Sequence, residues 1–219
     1  MQEFRKTSII NRIVDNPFNE SYEMSIGVDF MSKNLRCRGQ NKKLQIWDSA
    51  GQEKYKGLIP SYVRNSSIVF VVYDISSKNS FNNVPTWISF IKSIEKTTII
   101  LCGNKIDLTT REVQKNEGEK FAEKEGISFF EISAKTNENI KLMFYTTIAD
   151  LPTFGEGTAN KESLIKELQE ENGVENIQEG TNVKKKLSEP QDTIVVDGKA
   201  QTVQKKEKKR MWMLNDVKY

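Results

Sequence analysis

Ile46-Trp47-Asp48-Ser49-Ala50-Gly51-Gln52-Glu53 is the stretch whose reading decides the fold. The alternating run Leu44-Gln45-Ile46-Trp47 before it reads as a short strand. That strand ends at a carboxylate, and a glycine and a glutamine follow at once. In an α/β sheet, chemistry sits beyond the carboxyl ends of the strands. Asp48 is placed to hold a hydrated metal ion. Gly51 brings a backbone N–H close to a phosphate with no side chain in the way. Gln52 is placed to orient a water for in-line attack. Taken alone, Asp-x-Ala-Gly also fits an ordinary strand-end turn.

Outward from this octet the chain alternates strands with helices. Thr7 to Asp15 puts Ile9, Ile10, Ile13 and Val14 on one face and reads as a helix ended by Asn16-Pro17. Val28 to Arg38 and Lys42 to Trp47 read as a hairpin turned by Gly39-Gln40-Asn41. Ser67 to Tyr73 and Thr97 to Cys102 are continuous β-branched and aromatic runs, as expected for strands covered on both faces. Between them, Ser80 is expected to cap a helix carrying Phe81, Val84, Trp87, Ile88 and Ile91. A helix over Arg111 to Glu125 with Gly126 at its C′ position, a strand over Ile127 to Ile132 and a helix over Asn139 to Leu151 complete the series. The pattern implies an α/β fold, a mostly parallel sheet with helices on both faces.

Composition bounds what this fold does. The chain has 219 residues, 37% of them hydrophobic, low enough to point to a disordered part. The net charge of +3 gives no argument for nucleic acid. There is no histidine, which excludes His-based triads and the common zinc sites. Proton chemistry would fall to carboxylates, water or the substrate. Cys37 and Cys102 lie far apart in apolar stretches and read as reduced core thiols. No apolar run is long enough for a transmembrane span, and no signal-peptide core is evident. After about Gly155 aromatics nearly vanish, and 12 Lys and Arg stand against 12 Asp and Glu. Two parts are therefore expected, residues 1–154 and a mostly disordered low-complexity tail over residues 155–219. Within the tail, Lys161 to Glu171 fits a short helix with Leu164, Ile165 and Leu168 on one face. Lys205-Lys206-Glu207-Lys208-Lys209-Arg210 beside Met211-Trp212-Met213-Leu214 fits contact with an anionic membrane. The plainer reading, a solvated charge run with an accidental apolar end, is preferred.

Further motifs stand after the buried strands. Asp107 of Gly103-Asn104-Lys105-Ile106-Asp107 can accept from the N1–H and exocyclic amine of guanine, a donor pair adenine lacks. Such a site discriminates by roughly 10⁴–10⁵ in favourable cases. The Lys105 stem can lie along the base, and the Asn104 amide can tie neighbouring loops together. In Ser133-Ala134-Lys135 the Ala134 N–H can meet the guanine carbonyl, although the tripeptide also fits a helix-entry turn. Ser25 supplies a hydroxyl before a strand, or marks a plain loop-to-strand entry.

With these elements in this order, the sequence resembles small GTPases of the Ras superfamily from Lys6 to about Phe154, and within them the Rab branch. The closest likeness is to the Golgi-acting Rab subgroup. It is carried by Trp47-Asp48-Ser49-Ala50-Gly51-Gln52-Glu53, Leu58-Ile59-Pro60-Ser61-Tyr62-Val63-Arg64 and Ala149-Asp150-Leu151-Pro152. The resemblance implies a P-loop GTPase-like switch in vesicle trafficking, with GTP or GDP and Mg²⁺ as cofactors and slow GTP hydrolysis. It implies that Lys6 reaches the β/γ-phosphates and that Ser8 approaches the α-phosphate. Thr7 and Ser25 would coordinate Mg²⁺, with Asp48 supporting it through water. Gly51 would sense the γ-phosphate, Gln52 would be catalytic, and Phe18 would pack edge-on against the base. Asn104, Lys105, Asp107, Ser133, Ala134 and Lys135 would form the base site. Effectors, an exchange factor and a GTPase-activating protein would read Ile26–Phe30, Trp47 and Lys54–Arg64. The place implied is the cytoplasm or the periphery of Golgi membranes.

The pattern breaks at both ends. A P-loop reads G-x-x-x-x-G-K-[ST] after a strand, and here only Lys6-Thr7-Ser8 survives, with Arg5 in the place of the second glycine. The family's first strand, central between those equivalent to Lys42–Trp47 and Ser67–Tyr73, is missing. Two buried strands would then carry open edges. A misplaced start, a degenerate paralogue and a different segment filling the gap all account for this, and the first is preferred. The chain ends Asp216-Val217-Lys218-Tyr219 without a prenylation cysteine, so no such anchor is expected. The alternative function is a non-catalytic Rab-like adaptor that has lost nucleotide binding, or an incomplete chain of an active GTPase.

Overall fold

A computed structural model of the chain describes residues 6–15, 28–37, 40–49, 57, 59–151, 161–171 and 211–216. Helix α1 (Lys6–Ile13) is followed by the hairpin β1 (Val28–Cys37) and β2 (Gln40–Ser49), and then by the short α2 (Ile59–Val63). Next come β3 (Ile68–Asp74), α3 (Lys78–Asn82), α4 (Val84–Ile94) and β4 (Thr98–Asn104). Then follow α5 (Lys115–Glu125), β5 (Ser128–Ile132), α6 (Ile140–Ile148), α7 (Lys161–Glu171) and β6 (Met211–Asp216). The alternation is the expected α/β one.

Apolar runs decide the centre of the sheet. Every residue of Ile68–Asp74 is buried, and in Thr98–Asn104 all but the first. β3, β4 and β5 pair in parallel, and β1 and β2 pair antiparallel from Val28↔Ser49 to Cys37↔Gln40. α1 packs on β2 and α6, and α7 packs on β1 and α6. α4 packs on β3 and on the neighbouring α2 and α3, while α5 covers β4 and β5. Ile9, Ile10 and Ile13 enter the core, as their spacing on α1 requires. Burial of the Cys102 thiol raises its pKa, in keeping with an inert core cysteine; the side chain of Cys37 lies outside the described residues.

The gap expected between β2 and β3 is filled. The strand order is β1-β2-β6-β3-β4-β5, with β6 antiparallel to both of its neighbours. Because β6 opposes each of them, β2 and β3 run in the same direction. The open edges anticipated for these two strands are therefore absent here, and the segment read as an accidental apolar end is a paired strand. Of the tail, α7 is also ordered into the core, with Leu164 and Leu168 buried. The remainder of residues 155–219 lies outside the described set.

Helix starts differ in detail from the sequence reading. Ser77, not Ser80, caps the helix after β3, its side chain accepting from the Ser80 N–H. Ser80 lies inside that helix, where its Oγ accepts from Asp74 N at 3.0 Å and donates to Ser77 O at 2.7 Å. The expected single helix is two, because Pro85 lacks the N–H to continue one and suits the first turn of another. α5 begins at Lys115 rather than Arg111, where Glu117 reaches back to Gln114 N at 2.9 Å. Gly126 takes the left-handed conformation (φ 69°) that ends it.

Candidate functional site

Since β2, β3, β4 and β5 all run one way, their carboxyl ends meet at one edge of the sheet. Asp48, Asp74, Asn104 and Ser133 stand there in succession, at the end of a strand or just beyond it. The edge has two parts.

The first part joins β2 to α1. Asp48 is 1% exposed, and Thr7 Oγ1 donates to its Oδ2 at 2.5 Å. A buried carboxylate and a hydroxyl from separate elements thus converge, a hard-oxygen pair suited to Mg²⁺. Among the described residues, no cluster of three or more His, Cys, Asp or Glu side chains gathers to hold a metal. Lys6 opens α1, though its side chain is not described, and Ser8 is half-buried one residue beyond Thr7. Phe18, Ser25, Gly51 and Gln52 lie outside the described residues.

The second part is built by the loops after β4 and β5. Asn104 is buried, and its Oδ1 accepts from Ala134 N at 3.1 Å. This amide therefore joins the two loops, and the N–H expected to meet a guanine carbonyl is given to Asn104 in this structure. Ser133 Oγ donates to Asp107 Oδ1 at 2.6 Å and accepts from Thr136 N at 3.1 Å, fixing that carboxylate. Leu108 N donates to Lys105 O at 3.0 Å and closes the turn that presents Asp107. Lys135 is exposed, and Lys105 takes a positive φ of 75°.

Two contributors were not singled out in the sequence. Asp74 meets Lys105 Nζ with its Oδ2 at 2.5 Å, while its Oδ1 accepts from Ser76 N and Ser76 Oγ at 2.8 and 2.6 Å. The signal was available, because Asp74 ends a buried strand just as Asp48 does. Arg12 donates from Nε to Ala134 O at 3.0 Å and from its terminal nitrogen to Lys135 O at 2.8 Å. A cation in the last turn of α1 thereby holds the 133–135 loop, a contact no local pattern marks.

Beside the edge lies an aromatic face. The Trp47 ring sits 5.4 Å from Phe30 and 4.9 Å from Tyr62, centroid to centroid, and Phe30 is 53% exposed. These rings belong to the stretches expected to meet partners, of which residues 26–27, 54–56 and 58 are not described. Among the described residues no helix is long and apolar enough to cross a membrane.

A family model described as the Ras family matches residues 2–153, more than half of the chain.

Proposed function

The chain belongs to the Ras family of small GTPases, nucleotide-dependent switches, and from that premise we propose a Rab-branch guanine-nucleotide switch of vesicle traffic, peripheral to Golgi membranes. The observation that carries the reading is the convergence on one sheet edge of Thr7 and Asp48 with Asn104, Asp107 and Ser133. In this proposal Asp107 accepts from the guanine edge, the Lys105 stem flanks the base, and Asn104 with Ser133, Ala134 and Lys135 shapes its pocket. Thr7, Ser25 and Asp48 hold Mg²⁺, which neutralises phosphate charge when bound. Lys6, Ser8 and Gly51 contact phosphates, Phe18 packs against the base, and Gln52 orients the attacking water. The family's order–disorder logic would let the γ-phosphate organise the surfaces around Ser25 and Gly51. Phe30, Trp47 and Tyr62 would then present those surfaces to effectors, exchange factor and GTPase-activating protein.

The test is Mg²⁺-dependent retention of GTP and GDP by the purified chain, with Asp107→Ala as control. Retention that the control loses by about 10³-fold or more supports the switch, because an unpaired buried donor pair rejects the base. Golgi action is tested by the distribution of the tagged chain against Golgi and endoplasmic-reticulum markers; an even spread through the cell ends that part of the reading.

A second reading, a Rab-like adaptor without nucleotide, is favoured by one observation. The place between β2 and β3 is taken by a strand from residues 211–216 that runs opposite to both of them. A cooperatively folded chain that retains neither nucleotide would establish it.

A further inference from the structure

We propose that the slot between β2 and β3 is a binding site for an antiparallel strand, that its occupant is this chain's own Met211–Asp216, and that it accepts the same strand as a separate peptide. The slot is defined on both sides. β2 offers Leu44 to Asp48, opposite Asp216 to Trp212, and β3 offers Ile68 to Val71, opposite Leu214 to Met211. Both walls are deeply placed. Leu44, Ile46 and Asp48 are buried on β2, and all of β3 is buried. With β6 removed, the N–H and C=O groups along both edges would lose their main-chain partners and the apolar walls their cover, so an empty slot is disfavoured.

The occupant also brings the two halves of the sheet into a common register. Through β6, Ile46 shares a row with Ile68, Trp47 with Val69, and Asp48 with Phe70. Among the described residues β2 and β3 do not pair directly in the sheet order, so β6 carries the strand register from one to the other. Together with α1, which bonds both Asp48 and the 133–135 loop, it sets how far Asp48 stands from the loops after β4 and β5. The chain between Glu171 and Met211 spans at most roughly 130 Å when extended, so the strand can reach the slot from its own molecule. Recognition by main-chain pairing on both edges is the mode of strand addition, and it does not require a covalent tether.

Backbone amide exchange of the full-length chain is the first test, with the oligomeric state measured on the same sample. Amides of residues 211–216 in a monomer should exchange at least about 100-fold more slowly than the same residues in a free peptide of residues 208–219. Equal exchange in chain and peptide overturns the proposal, and protection confined to a dimer gives the slot to a second copy and overturns the assignment in cis. Met213→Pro then removes an N–H from a residue flanked by Trp47 and Val69. It should lower the unfolding temperature, while Met213→Leu, which keeps the N–H, should not. A synthetic peptide of residues 208–219 added in excess to the Met213→Pro chain should restore that temperature in a saturable way, and a peptide of the same composition in scrambled order should not. An unchanged unfolding temperature in Met213→Pro, or equal effects of both peptides, rejects the slot. None of these readouts involves nucleotide, so they stand apart from the switch proposal.

Discussion

Lys105 reaches back across the carboxyl edge to Asp74, Nζ to Oδ2 at 2.5 Å, with the carboxylate 1% and the lysine 18% exposed. The residue expected to flank a base is thus also the counter-ion of a buried acid. Removing it strands a charge that, among the described residues, Ser76 alone then serves. Lys105→Ala should destabilise the fold by about 3 kcal/mol, a fall in Tm of roughly 6–12 °C for a chain of this size. Adding Asp74→Asn to that variant should recover part of the loss, since the stranded charge is gone. Thermal unfolding of the single and double variants measures both effects, and equal instability of the two would show that the ion pair is not the cause.

Ser133→Ala takes away the hydroxyl that fixes Asp107 and anchors Thr136 N. A hydrogen bond to a charged group contributes roughly 1.5–3 kcal/mol. Guanine nucleotide should accordingly leave about 10–100 times faster, and the fold should itself lose part of the same contribution. Stopped-flow release of a fluorescent GDP analogue reads the change directly.

Gly118 lies within α5, where alanine normally gains about 1 kcal/mol of helix propensity. Here a Cβ would stand 2.6 Å from Phe129 Cζ and 2.7 Å from the buried Tyr73 hydroxyl. Both contacts are with rings held in packed positions, and overpacking of that kind costs about 1–3 kcal/mol. Gly118→Ala should therefore lower stability in chemical denaturation, against the direction that propensity alone gives.

Asp15 follows α1 at a φ of 63° and accepts from Lys33 at 2.6 Å and Lys141 at 2.8 Å. Partial burial works to raise its pKa, but the hydrogen bonds and charges of the two lysines outweigh it and hold the carboxyl below its ordinary value. A lowered folded pKa contributes stability above the unfolded pKa, lost as pH falls through the folded one. Asp15→Asn keeps a residue that tolerates positive φ and should cost less than about 1 kcal/mol at pH 7. The gap to wild type should close as the pH approaches 3, roughly the low end of carboxylate titration. Unfolding midpoints across that range check it.

The core strands were legible because Ser67–Tyr73 and Thr97–Cys102 are continuous β-branched and aromatic runs, which only burial on both faces explains. Asp48, Asn104 and Asp107 were legible because strand ends point to chemistry by position. Asp74 had the same signal but lacked a neighbouring motif to draw notice. Ser80 was misread as a cap because Ser76, Ser77 and Ser80 all offer hydroxyls, and only the backbone path tells which begins the helix. β6 was illegible for a different reason. Met211-Trp212-Met213-Leu214 is apolar enough for a strand, but local composition cannot name partners as remote as Leu44 and Ile68. The charge run before it pointed instead toward solvent or a membrane.

The place of β6 also sets a timetable for biosynthesis. A ribosome makes Leu44 long before Asp216, yet the two stand opposite one another in the finished sheet. Until residues 211–216 clear the exit tunnel, β2 and β3 each lack the strand that joins them in the finished sheet. Such intermediates fold slowly and invite aggregation. A sheet built this way closes only once a segment remote in sequence has been made, and its two halves are open to mispairing until then.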